Sequence, residues 1–114
     1  MPTIYKICPA PLWREAERAG RFRGSEVDLR DGFIHFSTAE QALETVARHF
    51  AGVDDLLLVR VDAAVLGAAL RWEPSRGGAL FPHLYGALDL AMVARVEPLP
   101  LGADGRHRFP PLDP

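Results

Sequence analysis

Gly32-Phe33-Ile34-His35-Phe36-Ser37-Thr38-Ala39-Glu40 is the stretch on which the reading of this 114-residue chain turns. Phe33 to Phe36 is a short apolar run after an Asp31-Gly32 turn signal, and it reads as a strand. Its alternation sends His35 opposite to Ile34 and Phe36, so a core on one side leaves the imidazole on the other. The strand stops at Ser37 and hands over to a helix. Ser37-x-x-Glu40 has the form of a capping box, in which hydroxyl and carboxylate each satisfy a backbone donor. Ala39, Ala42, Leu43, Val46, Ala47 and Phe50 then recur at helical spacing, and Gly52 marks the end. Glu44 and Arg48 add an i,i+4 pair worth ~0.3 kcal/mol.

Upstream, Thr3-Ile4-Tyr5-Lys6-Ile7 alternates as a strand, with Ile4 and Lys6 on one face and Tyr5 and Ile7 on the other. Pro11 suits the first turn of a helix running to about Ala19, with Gly20 at its left-handed end. Arg21 to Ser25 reads as a loop, and the charged segment from Glu26 to Asp31 as an exposed arm. Downstream, Leu56 to Val61 is apolar on both faces except at Arg60, the pattern of a central strand. Asp62 to Gly67 reads as a turn, Ala69 to Glu73 as a strand, and Pro74 to Gly78 as its break. Ala79 to Tyr85 carries Pro82 and is expected at an edge or bulge. Ala91 to Val96 is the last expected strand. The tail at 98–114 holds five of the ten prolines and is expected as extended coil. Two helices among strands of hairpin-like spacing make the chain α+β, a single domain over 1–114.

Composition narrows the function classes. Thirteen basic and fifteen acidic residues give a net charge of −2 with no basic block, which argues against a duplex DNA partner. No run of 18 apolar residues and no leader-like N-terminus are present, and Cys8 is the single cysteine, so the expectation is a cytoplasmic protein with no membrane partner. The histidines lack ligand spacing, and no metal is expected.

Candidate chemistry gathers at two places. His35 lies beside Ser37, Thr38 and a helix N-terminus, where an anion is favoured; a half-buried histidine bonded to a strand carbonyl accounts for the same pattern. Ser37 is first of all a cap. Ser75-Arg76-Gly77-Gly78 lets a backbone approach a ligand closely beside a guanidinium suited to phosphate or carboxylate, although a plain turn reads identically. Phe81-Pro82-His83-Leu84-Tyr85-Gly86 sets aromatic faces around His83, suited to stacking or equally to core packing. Glu73 is a carboxylate available to Arg76 or to a ribose hydroxyl. His49 reads as structural at a helix C-terminus, His107 as solvated, and Cys8 as a buried free thiol.

Ile4-Tyr5-Lys6, Trp13, Gly24-Ser25, Asp31 to Thr38, Trp72-Glu73, Arg76-Gly77-Gly78 and Phe81 to Gly86 together resemble a family of small bacterial proteins catalogued as a domain of unknown function. That family is similar in fold to the ADP-ribosyltransferase group, including the NAD-dependent RNA 2′-phosphotransferases, whose His-x-Ser element is matched here by His35 and Ser37. The resemblance implies an ADP-ribosyltransferase-like fold, a small, mainly antiparallel split sheet with two helices. It implies a nucleotide-like small-molecule partner with NAD as a substrate. His35, His83 and Glu73 would be catalytic, and Ser37, Thr38, Arg76, Gly77, Phe81 and Tyr85 would bind the ligand. Where the phosphotransferases carry Arg-His near the first strand, this chain has Tyr5-Lys6. The alternative is a non-enzymatic module on a degenerate transferase fold, sensing a metabolite or docking on a protein.

Overall fold

A computed structural model describes residues 2–114. The chain runs β1 (Thr3–Pro9), α1 (Ala10–Ala19), β2 (Arg21–Phe22), α2 (Glu26–Asp31), β3 (Ile34–His35), β4 (Ser37–Thr38), α3 (Ala39–His49) and β5 (Leu56–Asp62). A 3-10 segment, Ala63–Ala69, leads to β6 (Leu70–Pro74), and a 3-10 turn at Arg76–Gly78 leads to β7 (Leu80–Leu84). β8 (Leu88–Asp89) and β9 (Val93–Leu99) follow. All pairings are antiparallel, in a four-stranded sheet ordered β4-β1-β5-β9, a three-stranded sheet ordered β3-β7-β6, and a β2-β8 ribbon. The architecture is α+β, as the order of elements predicts.

The inner strands β1 and β5 of the four-stranded sheet are buried on both faces, and their alternation decides what goes where. Ile4, Cys8, Val59 and Val61 pack with Trp13 and Ala16 of α1, Phe22, Ile34, Leu84 and Leu88. Tyr5, Ile7, Leu56 and Leu58 pack on the opposite side with Val46 of α3 and Leu99, and Phe50, Phe109 and Leu112 close over them. Lys6 therefore sits on the first face, inside an otherwise apolar row, and is itself buried. Arg60, on the second face, is neutralised by Glu97 at 2.5 Å and Asp113 at 3.0 Å.

Several expectations are corrected. Glu26 to Asp31 is exposed apart from Asp28, as expected, but forms a third helix, α2, because Ser25 and Asp28 cap it reciprocally: Ser25 N donates to Asp28 Oδ2 at 2.8 Å. The cap of α3 falls one residue later than Ser37. Thr38 is the N-cap, its N–H donating to Gln41 Oε1 at 3.0 Å, and Glu40 is exposed. Ser37 instead pairs with Tyr5 in β4, as Thr38 does with Ile4, and its hydroxyl lies 2.8 Å from Thr45 Oγ1. Leu43 belongs to the apolar stripe by spacing yet is exposed, since α3 turns Ala42 and Val46, with Ala39 partly buried beside them, to the sheet.

β7 is the middle strand of its sheet, not an edge, despite Pro82. A residue's N–H and C=O point to the same side of a strand, and Pro82 O accepts from Phe36 N just where β3 has ended. The missing N–H thus faces a gap in the pairing and costs no ladder bond. Arg21-Phe22 pairs with β8 and is not loop. The last strand begins two residues later than expected and extends through Pro98, which is tolerated on the outer strand β9. From there the tail returns across the sheet, where Tyr5 Oη donates to Asp113 O at 2.8 Å. His107 is held by Val53 O at 2.7 Å from Nε2, and is not simply solvated.

Candidate functional site

The site lies where the two larger sheets part. The chain crosses between them in one residue, Phe36, from β3 of one sheet to β4 of the other. β4 covers only Ile4 and Tyr5, so the edge of β1 beyond Tyr5 is left without a neighbouring strand. A cavity of about 630 Å³ opens along that edge, within the range of small-molecule sites. β1, α2, α3 and the strand face bearing the two histidines enclose it.

That strand face follows from register. His35 of β3 and Arg71 of β6 both lie opposite His83 of β7, and Glu73 lies opposite Phe81. Directly opposed residues share a face, so these side chains stand together while Ile34 and Leu84 point to the core. The ring centroids of His35 and His83 are 5.5 Å apart, edge on. Phe33 stacks on His83 at 4.0 Å and 25°. Arg71 covers the Tyr85 ring at 4.8 Å.

The two imidazoles are held differently. His35 Nδ1 lies 2.6 Å from Asp28 Oδ1 and Nε2 lies 3.0 Å from Asp31 Oδ2. Asp28 is the anchor of this end: it is 2 % exposed and accepts from Lys6 Nζ, the backbone N–H groups of Ser25 and His35, and the His35 ring. Burial opposes its charge, but the hydrogen bond from His35 and the Lys6 ammonium outweigh burial and hold the carboxyl well below the usual range. Hydrogen bonding to Arg30, with His35 nearby, lowers the exposed Asp31 carboxyl as well.

His83 is 5 % exposed, and its Nδ1 lies 2.8 Å from Glu73 Oε1, which also accepts from Tyr85 Oη at 2.8 Å. These two bonds lower the Glu73 carboxyl, first through His83 and then through Tyr85, while Glu73 raises the Tyr85 phenol.

The cavity is lined by His35, Ser37, Arg76, Phe81 and His83 among the residues singled out in the sequence. The Arg76 guanidinium lies 4.9 Å over the Phe81 ring, with Glu44 Oε1 3.8 Å away. Thr38, Gly77, Glu73 and Tyr85 are not in the wall. Thr38 caps α3, Gly77 takes φ 68° in the turn behind Arg76, and Glu73 meets His83 and Tyr85 in place of Arg76.

Lys6 and Asp28, the ion pair in the cavity wall, were not among the candidates. Two signals for them exist: a lone ammonium in an apolar strand needs a buried partner, and Ser25-x-x-Asp28 has capping-box spacing. Cys8 is buried, and its thiol is pushed up to about 12 by burial despite Lys6, which leaves it inert. Among the described residues no cluster of three or more His, Cys, Asp or Glu side chains could hold a metal, and no helix is long and apolar enough to cross a membrane.

The fold and site thus define an α+β domain with a histidine-lined cleft at a split between antiparallel sheets. Residues 7–96 match the family described as "Protein of unknown function (DUF952)", and the chain belongs to that family. Among solved structures it is similar to protein CC0527 from Caulobacter crescentus. The crystal structure of that protein is 52 % identical, with 93 % of each chain covered and a TM-score of 0.89. Its solution NMR structure is 53 % identical over 93 % of this chain and 91 % of that one, with a TM-score of 0.84. No curated protein matches the chain.

Proposed function

We propose that the cleft binds a phosphate-bearing, nucleotide-like small molecule of the cytoplasm. The observation that carries this reading is the meeting of Arg76, His35 and His83 on one cavity of ligand size. Arg76 lies over the Phe81 ring, and its guanidinium can offer two nitrogens to two phosphate oxygens. Phe50, half-buried at the end of α3, and Phe81 supply apolar wall for a base or nicotinamide ring.

Transfer of an ADP-ribosyl group from NAD, or of a phosphoryl group to it, is the finer form of this reading. It asks Glu73 to hold a ribose, and the Glu73 carboxylate is already engaged by His83 and Tyr85. The engagement of both His35 nitrogens by carboxylates, and of the Ser37 hydroxyl by Thr45, favours a second reading, a non-enzymatic sensing or protein-docking module. That module binds its ligand without releasing nicotinamide.

Calorimetric titration with NAD, ADP-ribose and nicotinamide tests the proposal. Heat is expected from NAD and ADP-ribose below ~1 mM, with at least a tenfold loss of affinity in Arg76→Ala, the scale of one or two charge-assisted bonds of about 1.5–3 kcal/mol. Absence of heat from both NAD and ADP-ribose removes the reading.

A further inference from the structure

We infer that Glu73 and His83 form an acid–base pair, in which Nε2 of His83 takes the proton of a hydroxyl group on the ligand while Glu73 positions the ring. This rests on the proposed phosphate-bearing ligand for the source of the hydroxyl, a sugar or nucleotide hydroxyl, but the pair itself is argued from the protein alone.

A carboxylate only accepts hydrogen bonds, so the ring nitrogen facing Glu73 carries the hydrogen. The Glu73 carboxyl is held in its ionised form by the same two bonds that orient it. In the neutral ring, Nε2 therefore has the lone pair. That nitrogen makes no hydrogen bond among the described residues, yet it is not sealed away: the one fully enclosed polar side-chain atom without a partner is Trp13 Nε1. The cavity wall includes His83 but neither Glu73 nor Tyr85, which fits a ring that has the carboxylate behind it and presents its far edge to the cavity.

The other basic groups of the wall are committed or unsupported. Both nitrogens of His35 meet carboxylates, and Lys6 is paired with Asp28. His49 is exposed at the end of α3, with no side-chain partner among the described residues to aim it. His83, by contrast, has backbone neighbours on both sides in β3 and β6, Phe33 stacked on its face and the edge of His35 beside it. A base held in this way needs no reorganisation when the proton moves. The step balances simply. The ligand O–H bond breaks with its electron pair staying on oxygen, an N–H bond forms at Nε2, and the imidazolium keeps its Nδ1–H on Glu73, whose charge compensates it.

Two measurements on the full chain test the pair. Long-range proton–nitrogen NMR of the histidine side chains is expected to show His83 with hydrogen on Nδ1, and Glu73→Ala is expected to lose that signature. Carbethoxylation with diethyl pyrocarbonate, read by peptide mass spectrometry, is expected at His83 and at His49, with His35 spared. Saturating ADP-ribose is expected to protect His83 and leave His49 reactive. Hydrogen found on Nε2, or an unreactive His83 beside a reactive His49, overturns the inference. A reactive His83 that ADP-ribose does not protect upholds the pair and counts instead against the proposed ligand.

Discussion

His35 and His83 oppose each other across neighbouring antiparallel strands, ring centroids 5.5 Å apart, and each rests on a carboxylate from a different direction. His35 leans back on Asp28 and Asp31 of α2, whereas His83 leans sideways on Glu73 of β6. One strand pairing thus joins two electrostatic units: a buried one that ties a helix to the sheets, and a half-exposed one that aims a ring into the cleft. The difference between them sets the first expectation.

His35→Ala removes the ring donor from a buried carboxylate and frees Asp31 at the end of α2. A hydrogen bond to a charged group contributes about 1.5–3 kcal/mol, so a loss of stability of that size is expected. It is checked by the urea midpoint at unchanged slope. A change under about 0.5 kcal/mol, the scale of an ordinary surface substitution, would show that Asp28 is satisfied without the imidazole.

Gly24 is the position where α2 is tightest. Its φ is 120°, and a Cβ there would lie 2.7 Å from Asp28 Cβ. Gly24→Ala must therefore displace the carboxylate on which Lys6, Ser25 and His35 converge. Strain of this kind costs about 1–3 kcal/mol, and a lower melting temperature is expected. Gly32→Ala is a useful contrast: its φ is 86° but its Cβ would meet nothing within 4 Å, so it carries strain without the clash.

The tail gives a separate test. Asp113 accepts from the Tyr5 hydroxyl and donates to it at 2.7 Å, while its carboxylate and Pro111 O both bind Arg60. Deleting residues 111–114 leaves a buried phenol and a mostly buried guanidinium short of partners, at an expected cost of about 2–4 kcal/mol. Tyr5→Phe removes the hydroxyl alone and is expected to cost about 1 kcal/mol. Equal effects of the two changes would mean that the Arg60 contacts contribute nothing.

These residues also show what a single sequence can and cannot disclose. β1, α1, α3, β5 and β6 were legible because each carries its own periodicity over five or more residues. The candidates His35, Arg76 and His83 were legible as polar residues in apolar or glycine-rich company, and the fold brings all three to one cavity. What stayed hidden depends on partners distant in sequence. Six residues with four charges read as an exposed arm until Lys6, 22 positions away, is seen to bury Asp28. Pro82 argues against a central strand until the end of β3 beside it is known. Glu73 looks available to Arg76 because the two are close in sequence, yet the register of β6 against β7 delivers it to His83.

Asp28 sets the acid limit of the fold. Burial opposes its charge, but His35, Lys6 and the Ser25 N–H favour the carboxylate strongly, so its folded-state value lies below the ~3.9 of an unfolded aspartate. The folded chain then binds fewer protons than the unfolded chain, and the stabilisation is fully present above about pH 4 and lost as pH falls toward the folded value. Asp31, exposed, and Glu73, half-exposed, are also lowered and act in the same direction. Asp28→Asn keeps the shape but leaves Lys6 buried without a counter-ion, and an expected cost of about 3 kcal/mol at neutral pH follows from breaking one side of a buried pair. Its stability should fall less steeply below about pH 4, so the wild-type and variant curves converge as acid is added. Urea unfolding at stepped pH measures both quantities. Parallel curves would place the acid sensitivity of this protein on other carboxylates and remove Asp28 from that role.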